Sequence, residues 1–401
     1  MSKADLLCIA LPSWRGNYAK STVQLMHGLS RYYRILYVDY AYTIKDVLLA
    51  LLGKSNIPLS SIIISSRSLR KEVSREGEEI FILSLPPLLP VNWIRHKKLF
   101  WQLSRFNAWL ARRRIRLAMR QMGMHNPLLV NAFQPFLGVH LYQSLGMHKT
   151  IYYCYDEMAE ARWLGRHGSY MEAEMMRLAD LVISSSEALE MRKKQYCRAS
   201  TTVTNGVDFN SFYNARMNEP KRQQKATIGY TGSIDERFDT GLMAEVIAQL
   251  PGLEFRFVGR VSNEKARQRL KGFPNVTFLG AVAPDEVPQL MGQMDVGIIP
   301  YLENELTRYV YPLKINEFLA MGLPVVMTPF ADLPEFRGLV YQAAAAEEFA
   351  RCLLQALAEE NTQLTERRFR HAASRSWEHQ AEKFHAALSG LHVSKYQQEV
   401  V

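Results

Sequence analysis

Short apolar runs rich in Val, Ile, Leu and Tyr punctuate the first half of the chain. Leu6–Leu11, Arg34–Asp39, Ser61–Ser65, Ile80–Leu83, Leu128–Asn131, Thr150–Cys154 and Leu181–Ser184 read as strands. Lys20–Leu29 reads as a helix with a polar start. Continuous apolar strands separated by helices imply a parallel sheet covered on both faces. The pattern breaks after Asn205-Gly206-Val207-Asp208, where the polar segment Tyr213–Lys225 reads as a linker. It then restarts, with strands at Thr227–Thr231, Glu254–Val258, Val276–Leu279, Val296–Pro300 and Leu323–Thr328. Helices fall at Leu242–Leu250, Val287–Met294 and Leu313–Met321. The stretch Glu347–Leu388 is helical, with Trp377 as a large apolar anchor. The fold class is therefore α/β with two domains, expected at 1–212 and 213–375. Residues 376–401 are expected to form a helix that crosses back to the first domain.

Composition leaves that picture intact. At 48% hydrophobic and 22% charged residues, the 401-residue chain is ordinary globular protein. Leu6–Leu11 is too short for a signal-peptide core, and no run of about 18 apolar residues occurs. Cys8, Cys154, Cys197 and Cys352 lie far apart, with no C-x-x-C pair, so reduced thiols are expected. Charge changes the picture more. No Asp or Glu occurs between Glu79 and Asp156, a stretch that holds ten Lys and Arg residues. That equals the formal excess of +10 for the whole chain. A field of one sign points to an anionic neighbour. Within Asn92–Gln121 the cations are interleaved with Trp93, Phe100, Trp101, Phe106 and Trp109, a composition suited to the interface of an anionic bilayer. A half-buried helix with a solvated basic face is the plainer alternative, and nucleic acid the competing anion. Val47–Leu52 is a second apolar patch, readable as membrane-facing or as core.

Candidate chemistry collects in a few places. Thr231-Gly232-Ser233 ends a strand and offers backbone N–H groups that suit phosphate, or simply a tight turn that needs glycine. No G-x-G-x-x-G follows the first strand of either domain, which argues against a dinucleotide oxidoreductase. Lys314 and Glu317 share one face near a helix start. There a lysine and the helix dipole suit a diphosphate, while a carboxylate can accept from ribose hydroxyls. The alternative is a surface ion pair worth about 0.2–0.5 kcal/mol. Asp156 follows a strand whose end should face the ligand crevice, where it would orient or deprotonate a hydroxyl, or else cap a helix. Glu174 reads as structural. The loop Pro12–Tyr18, with Gly16 and Asn17, is a candidate for acceptor or phosphate contacts.

Pro312 to Val326 resembles the donor-binding signature of bacterial group 1 (family 4) glycosyltransferases, P-x-K-x-x-E-x-x-A-x-G-x-P-V-V, and most resembles the teichuronic-acid and exopolysaccharide branch. Ala179–Ser186, Asn205–Asp208, Phe257-Val258-Gly259 and Asn275–Gly280 resemble further family segments in the same order, together covering roughly residues 150–330. The resemblance implies a GT-B fold, two Rossmann-like domains facing across a cleft, with the acceptor on the first domain and a nucleotide-sugar on the second. It implies a retaining hexosyltransferase-like enzyme with no metal and no cofactor, the UDP- or GDP-sugar being substrate. Carried over by position, Glu317 contacts the ribose, Lys314 the diphosphate, Gly232 and Ser233 the phosphate side, and Val282 the base; Arg237 and Arg260 are candidate diphosphate partners. Asp156 is the candidate catalytic residue. Two departures stand out: Tyr155 where the family commonly has His, and Tyr309 where it often has Glu. They keep open a second reading, a catalytically weak GT-B relative that binds sugar or scaffolds an assembly. A nucleotide-sugar epimerase of the same fold is a third reading, disfavoured by the basic segment. The expected partners are a nucleotide-sugar, a lipid-linked or glycan acceptor and an anionic membrane surface, with no nucleic acid. The expected location is cytoplasmic, peripheral on the inner face of the cell membrane.

Overall fold

The structure, a computed structural model, describes residues 3–16, 20–55, 57, 59, 62, 69–160, 162–218 and 225–393. Two compact units divide the described chain, one from residues 3–16, 20–203 and 380–393, the other from 204–379. The first unit contains an eight-stranded sheet. Its strands are β1 (Ala4–Ala10), β2 (Tyr33–Val38), β3 (Arg70–Val73), β4 (Glu79–Leu83), β5 (Leu128–Ala132), β6 (Lys149–Cys154), β7 (Leu181–Ser184) and β8 (Ser200–Thr202). The order is β3-β4-β2-β1-β5-β6-β7-β8, parallel except for β3 against β4. The second unit has a six-stranded parallel sheet built from β9 (Thr227–Thr231), β10 (Glu254–Val258), β11 (Val276–Gly280), β12 (Val296–Ile299), β13 (Val325–Met327) and β14 (Tyr341–Gln342). Its order is β11-β10-β9-β12-β13-β14. The strand expected at Ser61–Ser65 lies, apart from Ile62, outside the described residues. Strands β3, β8 and β14 were not expected; they are short, and β3 and β8 carry too little apolar sequence to stand out.

The polar run after Asp208 is not simply a linker. Phe209–Asn218 is helical, and Asp208 accepts from the Ser211 N–H at 3.3 Å and its hydroxyl at 2.9 Å, a helix N-cap. The units accordingly divide before the Asn205–Asp208 turn rather than after residue 212. The C-terminal stretch forms three helices, Ala346–Leu357, Thr362–Ser374 and Trp377–Val393. The last begins in the second unit and ends in the first.

Packing follows the sequence spacing. The helix Lys97–Met122 turns Ala108, Ala111, Ile115 and Ala118 toward Leu7, Ile9, Leu36 and Leu83 of the first sheet. Alanines at i, i+3 and i+10, with Ile115 at i+7, give this long helix a narrow apolar stripe against the strands. Gly123, at φ 58°, ends it in the left-handed conformation.

In the second unit, Arg368 is fully buried. Its Nε donates to the Leu339 carbonyl at 3.0 Å, and its guanidinium grips Glu359, with Nη2 2.9 Å from Oε2. Removing one member of a buried pair strands the other charge, at about 3–5 kcal/mol. Arg368→Met should therefore lower the unfolding free energy read from denaturant titration by an amount in that range, and with it the midpoint. A midpoint equal to wild type would show that Glu359 finds water.

Candidate functional site

In the second unit every candidate residue lies at the C-terminal end of a strand or in the helix that follows one. Such ends face the ligand in parallel sheets, above all where strand order reverses, here between β9 and β12. Gly232 and Ser233 follow β9, Arg260 follows β10, Val282 follows β11, and the helix Leu313–Ala320 follows β12. Gly232 and Gly259 cross backbone on backbone: a Cβ at Gly259 would stand 2.0 Å from the Gly232 carbonyl oxygen. The Gly232 N–H donates to the Val258 carbonyl at 2.8 Å. Packing thus requires glycine at 259, and a φ of 141° favours it at 232. Arg237 is committed to Asp235, with Nε–Oδ1 at 3.0 Å and Nη2–Oδ2 at 2.6 Å, and lies 5.8 Å from the Tyr301 ring. A diphosphate there would have to share it. Arg260 is exposed, and Val282 is partly buried against the core.

Lys314 and Glu317 meet at the helix start, Nζ lying 3.0 Å from Oε2 and 3.3 Å from Oε1. The pair is not the exposed surface bridge of the plain reading, since Glu317 is 7% exposed. The Asn205 turn is built into the same corner. Its Nδ2 donates to the Tyr311 carbonyl at 3.0 Å, and Asn316 Nδ2 donates to the Asn205 carbonyl at 3.2 Å. Two sequence segments more than a hundred residues apart therefore brace one helix N-terminus. A cavity of about 430 Å³ opens among the loops after β12 and β13, lined by Glu303, Arg308, Phe330, Asp332 and Arg337. Nothing in the sequence pattern marked that cavity. Tyr309 is half-buried in the loop entering the helix.

In the first unit the order reverses at β1, between β2 and β5. Loops after β1, β5 and β6 gather at that edge. Asp39 Oδ1 accepts from the Trp14 N–H at 2.7 Å and the Tyr40 N–H at 2.9 Å, and the Lys20 ammonium donates to the Ser13 and Arg15 carbonyls. The loop through Gly16 is thereby wrapped around a buried lysine, whose pKa burial lowers against the pull of Asp39. Asn17 lies outside the described residues. After β5, Phe133 takes φ 57°, a conformation costing a bulky residue about 1–3 kcal/mol. Its ring lies 4.6 Å from that of Tyr155. Strain of this kind collects at functional edges.

Asp156 sits in a half-buried turn after β6 and caps no helix among the described residues; its Oδ1 accepts from the Glu157 N–H at 2.9 Å. Beneath it is a cluster that the sequence reading missed. Lys193, 3% exposed, lies 2.7 Å from both Glu157 and Glu172, each 2% exposed. Burial raises the Glu172 carboxyl above its usual range against the pull of Lys193. Burial also works against the Lys193 charge, yet the two carboxylates leave it firmly protonated. Glu174, by contrast, makes an exposed pair with Arg177.

The basic helix Lys97–Met122 exposes Leu99, Phe106, Trp109 and Leu117 beside Arg105, Arg113, Arg116 and Arg120. Trp93 is 76% exposed but precedes the helix, and Trp101 turns in against His140 at 4.6 Å, so the three tryptophans do not share one helical face. Among the described residues no cation from Arg95 to Arg120 has an ion-pair partner. Val47–Leu52 proves not to be core. The helix Ile44–Leu51 contains no buried residue, and Leu48, Leu51 and Leu52 are 55%, 63% and 68% exposed. It is tied to the basic helix through Leu88 and Leu89: the Ile44 N–H donates to the Leu88 carbonyl, and Asn107 exchanges two 2.9 Å hydrogen bonds with Leu89.

No helix among the described residues is long and apolar enough to cross a membrane, and no group of three or more His, Cys, Asp or Glu there is placed to hold a metal.

Residues 225–359 match the family model for glycosyl transferases group 1. A candidate teichuronic acid biosynthesis glycosyltransferase of Bacillus subtilis (strain 168), TuaH, is 33% identical over 168 residues, 39% of this chain and 42% of that protein. The match thus spans about two fifths of the relative's length. The fold is that of sucrose-phosphate synthase from Thermosynechococcus elongatus (TM-score 0.72, 15% identity, 98% of this chain and 100% of that one). Anabaena HepE, solved in complex with UDP and glucose, aligns with TM-score 0.63 and 15% identity over 96% of this chain and 99% of its own. The chain has the GT-B fold, and residues 225–359 of its second unit are similar to the group 1 glycosyl transferases.

Proposed function

We propose that this chain is a glycosyltransferase that moves a sugar from a nucleotide-sugar to a lipid-linked or polysaccharide acceptor at a membrane surface. One observation carries the reading: Lys314 and Glu317 stand at a braced helix start on the strand-end edge, within the segment that matches the group 1 model. The second unit holds the donor. Glu317 accepts from the ribose, and Lys314 and the helix N-terminus face the diphosphate. The UDP seen with HepE favours a UDP-sugar, and the likeness to TuaH favours a bacterial surface polysaccharide as product. The first unit holds the acceptor, with Asp156 as the group that orients or deprotonates its hydroxyl. Reaction with retention is part of this reading, by family resemblance.

Membrane attachment rests on the unpaired cations and exposed aromatics of Lys97–Met122, joined to the exposed apolar helix Ile44–Leu51. A solvated basic face alone would not explain the adjoining leucines.

A thermal-shift screen of UDP-, GDP-, ADP- and CMP-sugars identifies the donor. Against that donor, Glu317→Ala should lose about 1.5–3 kcal/mol of binding, the worth of a hydrogen bond to a charged group. Lys314→Ala should weaken the free nucleoside diphosphate as well. Titration calorimetry giving wild-type affinity for both variants would sink the donor assignment.

Asp156→Asn should fold normally and turn over roughly 10²–10⁴-fold more slowly. Unchanged turnover would remove Asp156 from the chemistry.

Co-sedimentation with vesicles tests location. Binding to anionic lipid should weaken with salt, since surface charges are screened within about 8–10 Å at physiological ionic strength. Replacing the exposed Arg105, Arg113, Arg116 and Arg120 with Gln removes roughly 1 kcal/mol apiece. That variant should leave the vesicles while still binding donor. Wild-type pelleting by it, or indifference to anionic lipid, would end the membrane reading and leave the fold untouched.

A further inference from the structure

We infer that Lys193 is a positioning residue for the Asp156 turn, acting through Glu157; the inference rests on the catalytic reading of Asp156. Lys193 is the last residue of the helix Glu187–Lys193, and it joins two carboxylates from different elements. Glu172 comes from the helix Gly168–Leu178, and its Oε1 also accepts from the Tyr152 hydroxyl at 3.1 Å and the Cys154 thiol at 3.4 Å, both on β6. Glu157 comes from the turn itself. Its Oε1 accepts from the Ala159 N–H at 3.1 Å as well as from Lys193, and its Oε2 lies 3.4 Å from Arg192 Nε. The Glu157 N–H in turn donates to Asp156.

The lysine is therefore an ionic link from the scaffold to the turn that carries Asp156, beside the weaker bond from the Cys154 thiol to the Asp156 carbonyl at 3.4 Å. Two buried carboxylates sharing one partner would repel each other without it, and one of them would take up a proton. An apolar filling of similar volume satisfies stability as well as a buried ion pair does. The ionic link differs in holding Glu157, and through it Asp156, at one distance and direction. A displacement of about 1 Å at a reacting group can cost about 10²-fold in rate.

The test separates position from stability. Lys193→Met alone leaves two opposed carboxylates and is expected to melt lower. Lys193→Met with Glu172→Gln removes the repulsion and leaves Glu157 with Arg192, so its melting temperature should return close to wild type. In that double variant the Glu157 and Ala159 amides should still exchange hydrogen at least about tenfold faster than wild type. With the donor selected from the UDP-, GDP-, ADP- and CMP-sugar panel, kcat should stay about 10²-fold down at unchanged donor KM. Recovery of amide protection and kcat together with melting temperature would overturn the proposal and leave Lys193 a stabilising residue only. So would wild-type protection in Lys193→Met. If Asp156→Asn keeps full turnover, the catalytic reading fails on its own, and the exchange measurement still decides whether Lys193 sets the turn.

Discussion

Strands buried on both faces cannot carry a charged side chain along their length without leaving it unpaired in the core. β1, β5, β7, β9, β12 and β13 are apolar and buried over nearly all their residues. Polar chemistry is pushed to the ends of the strands, and in a parallel sheet the carboxyl ends all lie along one edge. That constraint explains why residues as distant in sequence as Gly232, Arg260, Val282 and Lys314 share an edge in one unit, and Asp39, Phe133 and Asp156 in the other. Where β9 and β10 end, the two strands approach too closely for a Cβ at Gly259.

Two groups of buried charges are closed by ion pairs. Arg368 with Glu359, and Lys193 with Glu157 and Glu172, have opposite charges within hydrogen-bond reach on every side that is buried. The two differ in what they join. Arg368 ties the helix Thr362–Ser374 to the Glu359 turn and the Leu339 carbonyl, all scaffold. Lys193 ties scaffold to a turn that ends in an ionisable group at the strand-end edge. The surface between Arg95 and Arg120 does the reverse and exposes Arg105, Arg113, Arg116 and Arg120 without ion pairs, beside leucines that are equally uncovered. It is this pairing of uncovered charge with uncovered hydrocarbon that the proposed membrane attachment would use.

The alternation of apolar runs was enough to place most of the strands, because a doubly covered strand is a local signal. The shorter strands β3, β8 and β14 were not legible: Arg-Lys-Glu-Val and Ser-Thr-Thr owe their conformation to neighbours, not to their own composition. Polar composition likewise misled at 213–218, where the helix Phe209–Asn218 is set by its Asp208 cap and by packing. The Lys314–Glu317 pair was legible because its spacing is local. The buried triad was not, since Glu157, Glu172 and Lys193 are spread over three elements and resemble ordinary helix-surface residues. The sequence drew attention to Glu174 instead, two residues from the one that matters. Exposure of Ile44–Leu51 was equally hidden, because an apolar helix reads the same whether covered by protein or by lipid.

The two departures from the family pattern have different physical weights. At Tyr155 the ring lies 4.6 Å from that of the strained Phe133, and the backbone carbonyl accepts from Ser185 Oγ at 3.1 Å. A phenol there cannot take a proton near neutral pH as imidazole can. In the proposed reading that role falls to the neighbouring carboxylate, Asp156. At Tyr309 the loop is ordered by its own bonds: Asn304 Oδ1 accepts from the Leu306 and Thr307 N–H groups at 2.9 and 3.1 Å, and Thr307 is fully buried. The loop thus keeps its shape without a carboxylate at 309. With Glu317 already balanced by Lys314, the side chains of the helix start are close to neutral, and the helix dipole is left to attract an anion. A second carboxylate at 309 would have opposed that attraction, so its absence is compatible with a diphosphate at this corner.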